Sequence, residues 1–87
     1  MKFNDILVNT IERFTLGIEE TTGTSYVCIP VSNRMADYEE YYAISEEEFE
    51  LFLKDSGAAL QFVTRCRNRL VDEHLMFKPG TDRGVAT

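Results

Sequence analysis

The hydrophobic period of this chain changes several times, and each change marks an element boundary. Phe3, Leu7, Ile11 and Phe14 recur at i, i+4, i+8 and i+11, which is helical spacing and predicts a short helix over residues 3–14. Asn4 and Asp5 suit its first turn. The run Ile6-Leu7-Val8 is continuous and so fits strict alternation less well, but a strand is the competing reading of this stretch. From Phe14 the period becomes two: Phe14, Leu16 and Ile18 alternate with Thr15, Gly17 and Glu19. Residues 20–25 are turn-rich, with Gly23 available for a positive φ. Residues 26–31 are rich in β-branched and aromatic side chains, so the two runs predict a hairpin. Pro30 has no N–H for a ladder and belongs near the strand's end or on an edge. After a loop over residues 32–37, residues 38–44 make a third strand. Tyr38, Glu40, Tyr42 and Ile44 lie on one of its faces, and Glu39, Tyr41 and Ala43 on the other.

At Ser45 the strand gives way to a helix. Ser45 is an N-cap, and Ser45-x-x-Glu48 has capping-box spacing. Ile44 and Phe49 flank the cap as a hydrophobic staple. Glu46, Glu47 and Glu48 place negative charge at the positive end of the helix dipole. Phe49, Phe52 and Leu53 form the apolar face, and Gly57 is placed in the left-handed position past the helix end. The rival is one long helix kinked at Gly57. Ala59, Val63, Cys66 and Leu70 continue a helical stripe, which should stop near Phe77 ahead of Pro79-Gly80.

The fold class that follows is α+β: a three-stranded antiparallel sheet packed against helices, in the order α-β-β-β-α-α. Residues 1–87 form a single domain, and 78–87 read as a flexible C-terminal tail. The predicted core is Leu7, Ile11, Leu16, Ile18, Val27, Ile29, Ile44, Phe49, Phe52, Leu53, Val63, Cys66 and Leu70.

Composition narrows the function classes. With 44% hydrophobic and 28% charged residues, the chain has the makeup of a folded globular domain. The net charge is −6 and the pI about 4.6. That argues against nucleic acid and anionic membrane as partners, because both demand clustered Lys and Arg. No apolar run approaches the ~20 residues that span a bilayer. Asp5 stands where a signal peptide would have its apolar core, so the expected location is cytoplasmic.

Catalytic motifs are not evident. Gly17, Gly23, Gly57, Gly80 and Gly84 match no phosphate-binding loop. Cys28 and Cys66 read as free, buried thiols, and with His74 alone they are too few for a zinc site. On one helix Cys66 and His74 would lie more than about 10 Å apart along the axis, too far to act as a nucleophile–base pair. No metal, cofactor or enzymatic activity is expected.

The most distinctive stretch is acidic. Residues 37–50 hold seven acids and no Lys or Arg, interleaved with Tyr38, Tyr41 and Tyr42. One reading is an ordinary solvated surface. The other is a binding face in which carboxylates meet Lys or Arg and tyrosines supply rigid contact area. Its candidates are Asp37, Glu39, Glu40, Tyr41, Glu46, Glu47 and Glu50. Arg65 and Arg69, one turn apart, are candidates for self-association with the acids of a second copy, which would give a homodimer.

The run Tyr41-Tyr42-Ala43-Ile44-Ser45-Glu46-Glu47-Glu48-Phe49-Glu50 in a small acidic chain resembles small bacterial immunity proteins that neutralise a cognate toxin. The likeness is one of general character over the central third of the chain. It implies a protein inhibitor whose acidic face masks a basic toxin site. The sequence therefore points to a non-enzymatic, acidic protein-binding domain that takes a basic partner. The alternative is a small self-associating structural or assembly protein.

Overall fold

A computed structural model describes residues 1–78 and 83–87. The chain runs β1 (Phe3–Asn9), β2 (Phe14–Glu19), β3 (Thr24–Ser32), β4 (Asp37–Ile44), α1 (Glu46–Lys54), α2 (Ser56–Arg67) and β5 (Val85–Ala86), with a 3₁₀ turn at Asp72–His74. The first four strands form an antiparallel meander in the order β1-β2-β3-β4, and β5 adds to β3. The architecture is α+β, but the expected three strands and the order α-β-β-β-α-α are both corrected: among the described residues four strands and a short fifth make the sheet, and residues 3–9 are its first strand and not a helix.

The correction rests on one residue. Asp5 pairs with Gly17 and Leu7 with Leu16, so Ile6 is an extra residue in the β1 ladder, a bulge. The bulge shifts the alternation by one. Phe3 and Leu7, four apart, thereby fall on opposite faces of a strand instead of on one face of a helix. Ile11, the third member of the helical pattern, sits in the β1–β2 turn and is 86% exposed.

Two helices cover one sheet face. Phe14, Leu16, Val27, Ile29, Tyr42 and Ile44 from the sheet meet Phe52, Ala59, Phe62, Val63 and Cys66 from the helices. Removing the larger aliphatic and phenylalanine side chains among these from water contributes roughly 1.5–3 kcal/mol each. The capping box at Ser45 is present in both directions: Glu48 N–H donates to Ser45 Oγ at 3.1 Å, and Ser45 N–H to Glu48 Oε1 at 3.0 Å. Asp55 separates the helices. Its N–H closes α1 on the Leu51 carbonyl, and its carboxylate accepts from Gly57 and Ala58 N–H to start α2. Gly57 is thus in the first turn of α2 and not the terminator of α1. Helix α2 stops at Arg67, where Arg69 takes a φ of 57°, so Leu70 leaves the helical stripe and is exposed. Leu53, also expected in the core, faces solvent. No described helix is long and apolar enough to cross a membrane.

Pro30 lies within the central strand β3, yet it breaks no ladder. The β2 pairing ends at Cys28, and beyond it β5 takes the vacated position, with Thr87 N–H donating to the Pro30 carbonyl at 3.1 Å. Of the stretch read as a tail, residues 79–82 lie outside the described residues. Residues 83–87 are bound to the sheet through β5 and through Arg83.

Glu19, at the end of β2, is fully enclosed. Its carboxylate accepts from the backbone N–H groups of Lys2, Thr21 and Thr22 and from the Thr22 hydroxyl, at 2.8–3.0 Å. It therefore ties the start of β1 to the β2–β3 turn. These donors, Lys2 N–H foremost, outweigh burial and hold the carboxyl at about 2, against an ordinary value of 4.5. A depressed native value gives stability that is complete above the unfolded value and lost as pH falls through the native one. The melting temperature should therefore drop as pH falls from about 5 toward 2. In Glu19→Gln the melting temperature should be lower than wild type at neutral pH, with the difference closing near pH 2. Parallel curves across that range would remove Glu19 from this role.

Candidate binding surface

Alternation along β4 divides the acidic residues that charge alone had grouped. Glu40 and Tyr42 point under the helices, while Glu39, Tyr41 and Ala43 point to the face that the helices leave open. Glu40 is 7% exposed. Arg83 grips it in a fork, Nε to Oε2 at 2.8 Å and an NH2 donor to Oε1 at 3.1 Å. The same guanidinium donates to both oxygens of Asp72, at 2.7 and 3.0 Å. The Tyr42 hydroxyl adds a 2.8 Å donation to Glu40. Hydrogen bonding to Arg83 holds Asp72 below the usual carboxylate range, and burial pushes the Tyr42 hydroxyl up. Glu40 is therefore a structural ion-pair partner and cannot reach another molecule.

The other candidates scatter. Glu46, Glu47 and Glu50 are exposed on α1, in the layer opposite the open face. Asp37 stands at the start of β4, accepting from the Ser32 hydroxyl at 2.6 Å. Arg65 is exposed on α2. Arg69 donates to the Gly84 carbonyl at 2.9 Å and helps hold the C-terminal segment. Of the seven acidic-segment candidates, alternation places Asp37, Glu39 and Tyr41 on the open face, and Glu39 and Tyr41 meet there.

Around them lie residues that the sequence did not mark as part of a binding face. Phe3 stacks on Tyr41 with ring centroids 4.0 Å apart and planes 22° apart. Tyr26 stands edge-on to both, at 5.3 and 5.2 Å. Phe77, half exposed, closes the group at 6.1 Å from Phe3 and 6.2 Å from Tyr41. Tyr26 is wholly buried although no helix covers it, because these rings do. Its ring lies across β2 above Gly17, and its hydroxyl donates to Asp5 Oδ1 at 2.6 Å. A Cβ at Gly17 would overlap the Tyr26 hydroxyl and the Asn4 carbonyl oxygen. The glycine inside an alternating strand was the available sequence signal for this close approach.

Beside the rings, Glu39 Oε2 accepts from the Cys28 thiol at 3.1 Å, and Oε1 lies 3.5 Å from the Tyr41 hydroxyl. Burial pushes the Cys28 thiol up, and pushes the Tyr41 hydroxyl up to about 12. Cys66, free and buried on the opposite side of the sheet, is pushed up to about 12, again by burial first. Protonated, enclosed thiols are poor nucleophiles. His74 is engaged as well: its Nδ1–H donates to the Ala43 carbonyl at 3.0 Å, and its ring meets Phe62 edge-on. Among the described residues no group of three or more His, Cys, Asp or Glu could hold a metal ion. What the open face offers is aromatic area edged by the carboxylates of Asp5 and Glu39, a surface suited to cationic side chains.

An alanine in place of a strand glycine ordinarily stabilises by roughly 0.5–1 kcal/mol. At Gly17 the sign should reverse, with a loss of about 1–3 kcal/mol from overpacking. Urea denaturation measures this, and near-ultraviolet circular dichroism should show the tyrosine signal weakened. A Gly17→Ala midpoint equal to or above wild type would contradict the packing of Tyr26 over β2.

Comparison of the chain with protein-family models, with curated proteins and with solved structures gave no match.

Proposed function

We propose that this chain is a non-enzymatic binding domain that takes a basic protein partner on the open face of its sheet. The observation that carries this reading is the joining of Phe3, Tyr41 and Phe77 with the carboxylates of Asp5 and Glu39 on the sheet face that α1 and α2 leave open. The rings supply rigid apolar area and the acids supply sign. The whole-chain charge of −6 adds long-range attraction for a cationic partner. Neutralisation of a basic toxin, in the manner of the immunity proteins the sequence resembles, is the most specific form of this reading. In the alternative, self-association, Arg65 would be the principal contact, because Arg69 is already engaged by Gly84.

The test is capture of partners from lysate by the tagged chain, with three versions compared. A basic protein should be retained by wild type and by Glu46→Lys/Glu47→Lys on α1, lost with Glu39→Lys/Tyr41→Ala, and released as salt rises. Circular dichroism establishes that each version is folded. Loss on the α1 version alone would refute the open face as the site. Recovery of only untagged copies of the chain, weakened by Arg65→Glu, would replace this reading with self-association.

A further inference from the structure

Next to the aromatic cluster the open face dips into a groove of about 300 Å³ between the β1–β2 turn and β4. Val8 forms one wall, Thr15 and Pro30 lie along the bottom, and Glu39 and Arg13 are its charged residues. Val8 is 60% exposed, an apolar side chain in water beside a carboxylate.

Three sheet glutamates make a useful contrast. Glu19 is saturated by four N–H and O–H donors, and Glu40 is forked by a guanidinium. Glu39 is exposed, makes no ion pair among the described residues, and receives only a thiol and a tyrosine hydroxyl at the long limit of hydrogen bonding. A thiol is a weak donor, so it orients the carboxylate without satisfying it. Cys28 is almost wholly buried, and burial keeps it protonated and able to donate. Arg13 makes no ion pair either; its guanidinium reaches the Thr87 hydroxyl at 3.2 Å. The groove therefore has opposite charges at separate places, which gives a bound cation only one favourable position.

Resting on the basic-partner reading above, we propose that this groove is a subsite for one lysine or arginine side chain of the partner. The aliphatic stem lies along Val8 and Pro30, and the cationic head meets Glu39, whose carboxylate the Cys28 thiol holds in place. Long basic side chains combine such a stem with a charged tip. Glu39 is the binding residue, and Cys28 is a positioning residue that acts through it.

The experiment titrates the isotopically labelled full chain with N-acetyl-arginine methylamide and N-acetyl-lysine methylamide, and with the uncharged N-acetyl-norleucine methylamide. Amide shifts should appear at Val8, Thr15 and Glu39 for the two cations, with norleucine binding about three- to fivefold more weakly. An exposed charge pair predicts about three- to fivefold weaker binding in Glu39→Gln and no change in Glu47→Gln. Cys28→Val should weaken binding about twofold, while Cys28→Ser, which keeps a donor, should retain it. Shifts that map elsewhere, equal response to norleucine, or indifference to Glu39→Gln would overturn the subsite. Such a result would leave the open-face reading standing if the captured protein still depended on Tyr41. Binding of the cations at Glu39 with no captured protein depending on the open face would support the subsite and refute the wider reading.

Discussion

The period of two along β4 is the constraint from which the rest of the molecule follows. Glu39 and Glu40 are adjacent in sequence and lie on opposite sides of one sheet. On the helix side, Glu40 is a buried charge, which is tolerable only with a matched partner. Arg83 supplies it, and through Asp72 and Tyr42 the same guanidinium joins the strand to the turn after α2 and to the returning C-terminal segment. On the other side Glu39 keeps an open carboxylate. The alternation that builds the core thus decides which acid is structure and which is surface.

Both faces of the sheet carry packed side chains, but of different kinds. Under the helices the packing is aliphatic and aromatic, and it closes on itself. On the open face it is a small cluster of four rings in which Tyr26 is buried and Phe77 remains half exposed. Gly17 makes that cluster possible, because any side chain there would lift Tyr26 off the strand and part its hydroxyl from Asp5. The edge of β4 is also covered: Tyr42 bridges to Leu75, and Met76 N–H donates to the Tyr41 carbonyl at 2.9 Å. Covering an edge in this way limits unwanted strand pairing.

Local signals in the sequence were read well. The capping box at Ser45, the hairpin of β2 and β3 and the alternation of β4 each depend on residues a few positions apart, and each is present. Where the reading failed, a distant or irregular feature was responsible. The Ile6 bulge turned a strand into an apparent helix over residues 3–14. The positive φ at Arg69 ended α2 earlier than Pro79 suggested. Arg83 lies 43 residues from Glu40, so no window along the chain connects them. The acidic candidates were grouped by proximity in sequence, although the alternation already assigned to β4 placed Glu39 and Glu40 on different faces. Phe3, Tyr26 and Phe77 come from three separate parts of the chain, and only the folded sheet brings them beside Tyr41.

The most direct measurement of this account compares two neighbouring substitutions by urea denaturation at neutral pH. Glu40→Gln weakens a buried, charge-assisted fork and should cost roughly 2 kcal/mol. Glu39→Gln, on an exposed carboxylate without a cation, should stay within about 0.5 kcal/mol of wild type. Equal losses, or a larger loss at Glu39, would contradict the division of β4 into a buried, ion-paired face and an open, exposed one.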